Sequence, residues 1–401
     1  MNKRLWLTAS YVGYFLIGLI SVVLSPSLPF MIKDFSISLG TAGAVFTAQA
    51  GGLFFGVLIG GILADILGKK PLIVLGCLVL GLTMAAIAAT SSWYLALLFF
   101  VLNGIAGGFL NTLLNIIVVE VSGTRQGAAM NALHGIYGLG SLIGPVAVGL
   151  VLTWQFGWRL AFYGSAVLWI LYLLFVLSLS SPDTEKKAAA AGIKEIPVRS
   201  FLFHPVFLLL FLVSFIYNGS ATSLVGWINT HLNEMQFSAI LGSSMVTIFY
   251  IGLTLGRFLC GYFSDRVGFS LTILVCSLGS LLFYPLGIYF SQPVLISIGV
   301  FLSGFFFSGL FPTALAYANR LFPSSTGTIT GTLSTAMSLG AMIIPWLVGL
   351  LADGAGFQAG LSLGYALLFI LAAAAIRLYV LEKKKTGSSI PQETVRSLSE
   401  Q

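Results

Sequence analysis

The stretch G-I-L-A-D-I-L-G-K-K, Gly61 to Lys70, returns as G-Y-F-S-D-R-V-G, Gly261 to Gly268, at an offset of 200 residues. The same offset lays Gly104 on Gly304, Pro145 on Pro345 and Gly149 on Gly349. Nine glycines coincide, where 46 placed at random would give roughly three matches, so the chain is one unit written twice. Each unit is almost wholly apolar. Two similar membrane halves around a central cavity would form a device for carrying a solute across a bilayer.

Hydrophobic residues make up 58% of the chain and charged residues 8%, which excludes a water-soluble domain of 401 residues. Between polar breaks, twelve apolar runs are long enough to cross a hydrocarbon core of roughly 30 Å. They cover 5–31, 41–65, 71–90, 93–120, 127–152 and 158–180, then 204–230, 239–263, 269–290, 292–320, 327–352 and 360–381. The expected fold is an all-α membrane protein, with twelve transmembrane helices in two pseudo-symmetric six-helix bundles. The bundles are expected over 1–180 and 204–382, joined by a cytoplasmic linker at 181–203 and followed by a cytoplasmic tail at 383–401.

Lys and Arg beside membrane spans stay on the cytoplasmic side. With the N-terminus inside, Lys3, Arg4, Lys69, Lys70, Arg125, Arg266, Arg320 and the linker cations fall there, against Lys33 and Arg159 outside. This predicts a multi-pass protein of the cell membrane with both termini cytoplasmic. The net charge of +7 is then a topology signal, and no nucleic-acid partner is expected. The first span is too long, and lacks the small-residue site, to be a cleaved secretory signal. Cys77, Cys260 and Cys276 all lie inside spans, so no disulfide framework is expected.

The doubled loop, following spans 2 and 8, resembles the signature loop of the major facilitator superfamily. Gly61 would allow close helix contact there. Asp65 and Asp265 at the membrane edge can accept from a neighbouring helix N-terminus or pair with Lys69, Lys70 or Arg266. Such contacts would latch the cytoplasmic side shut; alternatively, the two carboxylates only fix the loop turns. Spans 5 and 11 carry G-S-L-I-G-P-V-A-V-G (Gly140 to Gly149) and G-A-M-I-I-P-W-L-V-G (Gly340 to Gly349), where proline permits a bend and glycine a close neighbour. The span 5 copy resembles a motif associated with exporters of this superfamily and found also in its sugar-uptake members.

Polar side chains inside hydrocarbon are costly unless they face a partner or a wet cavity, so their helical spacing points to a site. Span 1 aligns Tyr14, Gly18, Ser21 and Ser25, and span 7 aligns Ser214, Asn218, Thr222 and Asn229. Span 4 carries Asn111 and Asn115 on one stripe, span 5 places Asn131, His134 and Tyr137 within two turns, and span 2 adds Gln49. These groups donate and accept hydrogen bonds with little fixed charge, which suits a neutral polyhydroxy solute. Phe46, Tyr217, Trp227 and Tyr250 are available to stack on a sugar ring or to pack; Trp227 is read also as an interface anchor.

N-T-L-L-N (Asn111 to Asn115), N-A-L-H-G-I-Y-G-L-G (Asn131 to Gly140) and G-L-F-P-T-A-L-A (Gly309 to Ala316) resemble the fucose and glucose permease branch of the superfamily. That resemblance implies alternating access, with spans 1, 4, 7 and 10 lining the cavity. In that branch the position of Asn111 is often acidic and implicated in cation coupling; here it is an amide. Glu120 and its repeat counterpart Arg320 read as a gate or as solvated helix ends. His134, the one histidine well inside a span, reads as a hydrogen-bonding core residue or as the best remaining proton carrier, ahead of Glu120.

No catalytic constellation, metal-ligand cluster or phosphate-cradling glycine loop is present, so neither an enzyme nor a cofactor nor a metal site is expected. The solute expected is a hexose or similar neutral polyol, with optional proton coupling and a monomeric carrier. The rival reading is an exporter of hydrophobic drugs working as a proton antiporter.

Overall fold

The computed structural model describes residues 3–123, 126–180, 203–322 and 326–387. The expected linker lies outside them apart from Phe203, as does the tail from residue 388; so do the side chains of Asp65, Asn131 and Asp265. Among the described residues, twelve helical segments are long and apolar enough to cross a membrane, matching the number read from sequence. The structure is all-helical.

The first half comprises α1 (Lys3–Ser21), α2 (Leu24–Phe35), α3 (Leu39–Leu67), α4 (Lys69–Ala89), α5 (Trp93–Val121), α6 (Gln126–Thr153) and α7 (Trp158–Ser178). The second comprises α8 (Pro205–Glu234), α9 (Ala239–Val267), α10 (Phe269–Tyr289), α11 (Pro293–Phe307), α12 (Leu310–Leu321), α13 (Thr326–Ala355) and α14 (Phe357–Gly387). Helix α14 runs past the expected bundle edge at residue 382 and takes in the start of the expected tail.

Two spans expected as single helices are broken. Span 1 divides at Val22–Val23 and span 10 at Ser308–Gly309. Each break lies four residues before a proline, Pro26 or Pro312. Proline lacks an N–H and its ring crowds the carbonyl four residues back, which here belongs to Val22 or Ser308. Serine hydroxyls take up carbonyls at both breaks: Ser21 Oγ donates to Gly18 O at 2.9 Å, and Ser308 Oγ to Phe305 O at 2.6 Å.

Several of the repeated glycines mark helix crossings within each half. A Cβ on Gly104 would lie 2.3 Å from Gln49 O, and one on its counterpart Gly304 would lie 2.3 Å from Phe249 O. Backbone thus rests on backbone where α5 crosses α3 and where α11 crosses α9, a contact that only glycine allows. Gly61 behaves otherwise: its Cβ would meet nothing within 4 Å, contrary to the close contact expected of it.

The reason is the posture of the whole molecule. At the far end, opposite the doubled loops, the halves are joined. Asp353 on α13 accepts from Leu39 N at 2.7 Å and Gly40 N at 2.8 Å, so its carboxylate caps the N-terminus of α3 across the seam. Thr47 Oγ1 donates to Met342 O at 2.6 Å, Thr247 Oγ1 to Leu142 O at 2.9 Å, and Ser25 Oγ to Val225 O at 2.5 Å. At the basic end, Gly61, Gly135 and Gly331 have open space where a Cβ would sit, and apolar residues such as Ile62, Ile66, Phe258 and Tyr262 are exposed. The halves splay apart there.

Candidate solute-binding cavity

Between the halves lies a cavity of about 280 Å³, at the small end of the range typical of metabolite sites. The first half contributes Ser21, Ser25, Phe46, Gln49, Tyr137 and Gly138. The second contributes Tyr217, Asn218, Thr222, Tyr250, Thr254 and Arg257. The break between α1 and α2 forms part of this wall through Ser21, Val22, Leu24 and Ser25. A discontinuous helix is suited to that place, because its unpaired backbone groups can turn toward a polar chamber.

Of the residues singled out in the sequence, Ser21, Gln49, Tyr137, Asn218 and Thr222 lie on the wall. Ser21 Oγ and Tyr137 Oη are 3.3 Å apart, and Asn218 Nδ2 donates to Met337 O at 2.9 Å, leaving its carbonyl oxygen for another partner. Tyr14, Asn111, Asn115 and His134 form a separate group behind it. Asn115 Nδ2 donates to Tyr14 Oη and, at 2.7 Å, to Asn111 O; Tyr14 Oη donates to Asn111 O at 3.2 Å. Tyr14 meets His134 edge to face at 5.6 Å between centroids and approaches Tyr137 at 6.5 Å. A polar path therefore runs from Asn111 and Asn115 through Tyr14 and Tyr137 to Ser21 on the cavity wall.

Trp227 is 0% exposed and does not line the cavity. Its Nε1 donates to Pro345 O at 2.9 Å, and its ring packs against Phe46 and Phe357. It backs Phe46, a wall residue of the opposite half.

Glu120 and Arg320 do not bridge the halves. Glu120 binds Lys69 within the first half, and Arg320 lies over the Phe269 ring within the second. Lys70 donates to Leu177 O at 3.2 Å and to Leu179 O, holding the C-terminal end of α7, while Arg266 covers Tyr262 of its own helix. With the basic end splayed, none of these described cations latches one half to the other.

The sequence reading missed Arg257. It stands on α9 inside the span and lines the cavity together with Tyr217 and Tyr250. The expectation of a chamber with little fixed charge is thus corrected. A cation eight residues before Asp265, within an apolar run, is the signal that could have found it.

The family model described as Major Facilitator Superfamily matches residues 10–246 and 232–400. The chain belongs to the major facilitator superfamily. It is 25% identical to the MFS-type transporter YfkL of Bacillus subtilis (strain 168), covering 94% of this chain and 96% of that one. It is 24% identical to the glucose/mannose transporter GlcP of the same organism, over 84% of this chain and 86% of the relative. The crystal structure of a mutant of the nucleoside transporter NupG superposes with a TM-score of 0.82 at 16% identity, over 94% of this chain and 100% of that one. That likeness shows the fold. The protein is a multi-pass membrane transporter of this superfamily, and not an enzyme.

Proposed function

We propose that this member carries a small polar solute, hydroxyl-bearing and about the size of a hexose, by alternating access. The observation that carries the reading is the shared cavity: hydroxyl, phenol and amide groups from both halves converge on one space of about 280 Å³. Ser21, Gln49, Tyr137, Asn218 and Thr222 would bind the solute, and Phe46 and Tyr250 would cover its apolar face. Similarity to GlcP supports a sugar-like cargo.

In this reading the basic end faces the cytoplasm, in accord with the distribution of Lys and Arg. The far-end seam is then the closed outer gate, and the conformation is inward-facing. Rocking would break the seam and bring the open ends together, where Asp65, Lys69, Lys70, Asp265 and Arg266 would meet as the inner latch. Asn111, Asn115, Tyr14 and His134 would lie on the path between cavity and cytoplasm, with His134 positioned to pass a proton.

The test is thermal stabilisation of purified protein by a panel of sugars, polyols, organic acids and cationic dyes. A bound solute at 100 times its Kd adds about 2.7 kcal/mol to folded-state stability. Stabilisation by polyhydroxy solutes, lost in Gln49→Ala or Asn218→Ala, is the expected result. Stabilisation by hydrophobic dyes alone would make the chain an exporter of such compounds and refute the proposal.

A further inference from the structure

An arginine inside a membrane span is retained against a solvation penalty of several kcal/mol, and such residues face a counter-charge or a wet pathway. Arg257 lines the cavity, and among the described residues no acidic side chain forms an ion pair with it. Among the described residues, no Asp or Glu lines the cavity. The described carboxylates with assigned partners are engaged elsewhere: Asp34 with Arg159 and Trp158, Glu120 with Lys69, and Asp353 with the α3 N-terminus. The chamber therefore holds a fixed positive charge that its own walls do not balance.

The charge is also no part of the repeated scaffold. At the same place in the first half stands Val57, an exposed apolar residue. The neighbouring glycines Gly56 and Gly256 do coincide, so the helix crossing is shared while the cation is private to α9. Around Arg257 the wall supplies Thr254 and Tyr250 from its own helix and Asn218 from α8, all able to hold hydroxyl groups. A guanidinium offers a planar fork of donors that matches the two oxygens of a carboxylate or sulfonate.

We propose that Arg257 is the anion-recognising residue of the cavity and that the transported solute is a small organic acid, its carboxylate or sulfonate held by the guanidinium and its hydroxyl groups by the surrounding wall. This rests on the transporter reading above and narrows its cargo. The solute brings the missing negative charge, so an empty cavity keeps an unbalanced cation and a loaded one does not.

The experiment measures binding by calorimetry and thermal shift with matched pairs: gluconate against sorbitol, lactate against 1,2-propanediol, isethionate against ethylene glycol. Full-length protein is compared with Arg257→Gln and Arg257→Lys, each checked for monodispersity and unliganded Tm. At least one acid is expected to bind where its neutral partner does not. Its affinity should fall roughly 10- to 100-fold in Arg257→Gln, as for loss of a charged hydrogen bond, and in part in Arg257→Lys. If Arg257→Gln does not fold, the lysine variant carries the comparison. Binding of the neutral member as tight as its acid, an acid affinity indifferent to position 257, or no binding by any acid overturns the proposal. The transporter reading fails separately, if labelling of a cavity cysteine in proteoliposomes never alternates between the two sides.

Discussion

Lys69 and Glu120 meet as a two-pronged ion pair, the ammonium 2.5 Å from each carboxylate oxygen. At an offset of 200 residues their counterparts, Phe269 and Arg320, meet as a cation over a ring, 5.8 Å from its centroid. The two halves thus solve one packing problem at the ends of equivalent helices with different chemistry. Lys69 is 7% exposed and Glu120 45%, so removing the acid strands a nearly buried charge. Glu120→Ala should lower Tm by several degrees, more than Lys69→Met does. The double change Lys69→Phe with Glu120→Arg, which copies the second half, should recover most of the loss; scanning fluorimetry on the three variants checks this.

Gly104 and Gly61 make a contrasting pair. Gly104→Val would drive side-chain carbon into Gln49 O and should abolish folded yield, seen as loss of the monodisperse peak. Gly61→Leu meets open space in the present conformation and should fold with an unchanged Tm. Transport should nevertheless drop, because the basic end must close over that surface during the cycle. Normal transport by Gly61→Leu would show that position 61 stays apart throughout.

Asp353 holds the far end shut through two backbone amides of the other half. Asp353→Asn keeps the shape and weakens both charge-assisted bonds. A cysteine at Gln49, in a background without the native thiols, should then react faster with an impermeant maleimide from the far side, by roughly tenfold for about 1.4 kcal/mol of lost seam energy. An unchanged rate would remove Asp353 from the gate.

His134 offers an imidazole beside Tyr14 on the path from the cavity. Assigned as the coupling group, it predicts that His134→Gln keeps solute exchange and loses accumulation against a gradient in energised vesicles. Accumulation at the native level would eliminate that role.

The doubling and the twelve spans were legible because apolar length and a fixed repeat survive without any tertiary knowledge. The breaks in spans 1 and 10 were not, since V-V-L-S-P-S-L-P and F-S-G-L-F-P keep up the apolar run while Pro26 and Pro312 interrupt the hydrogen bonding. Asn218 and Thr222 could be placed on a polar stripe by helical spacing alone. Which stripe reaches the cavity depends on how the halves lean, and so Asn111 and Asn115 fall behind Tyr14 instead of on the wall. Arg257 escaped because its charge merges, in a linear reading, with those of the nearby loop; only the phase of α9 separates them.

The far-end seam has a further consequence. Ser25 is bonded to Val225 O and accepts from Asn229 at 2.9 Å, and Thr47 and Thr247 each hold a carbonyl of the opposing half. When these contacts part, buried polar atoms need new partners, and in a widening crevice water is what can supply them. Opening outward is therefore a hydration step, and osmolytes too large to enter the crevice should pull the carrier back toward the closed seam. Water activity would then act on the transport cycle much as a competing ligand does, with an osmotic dependence whose slope counts the molecules taken up per turnover.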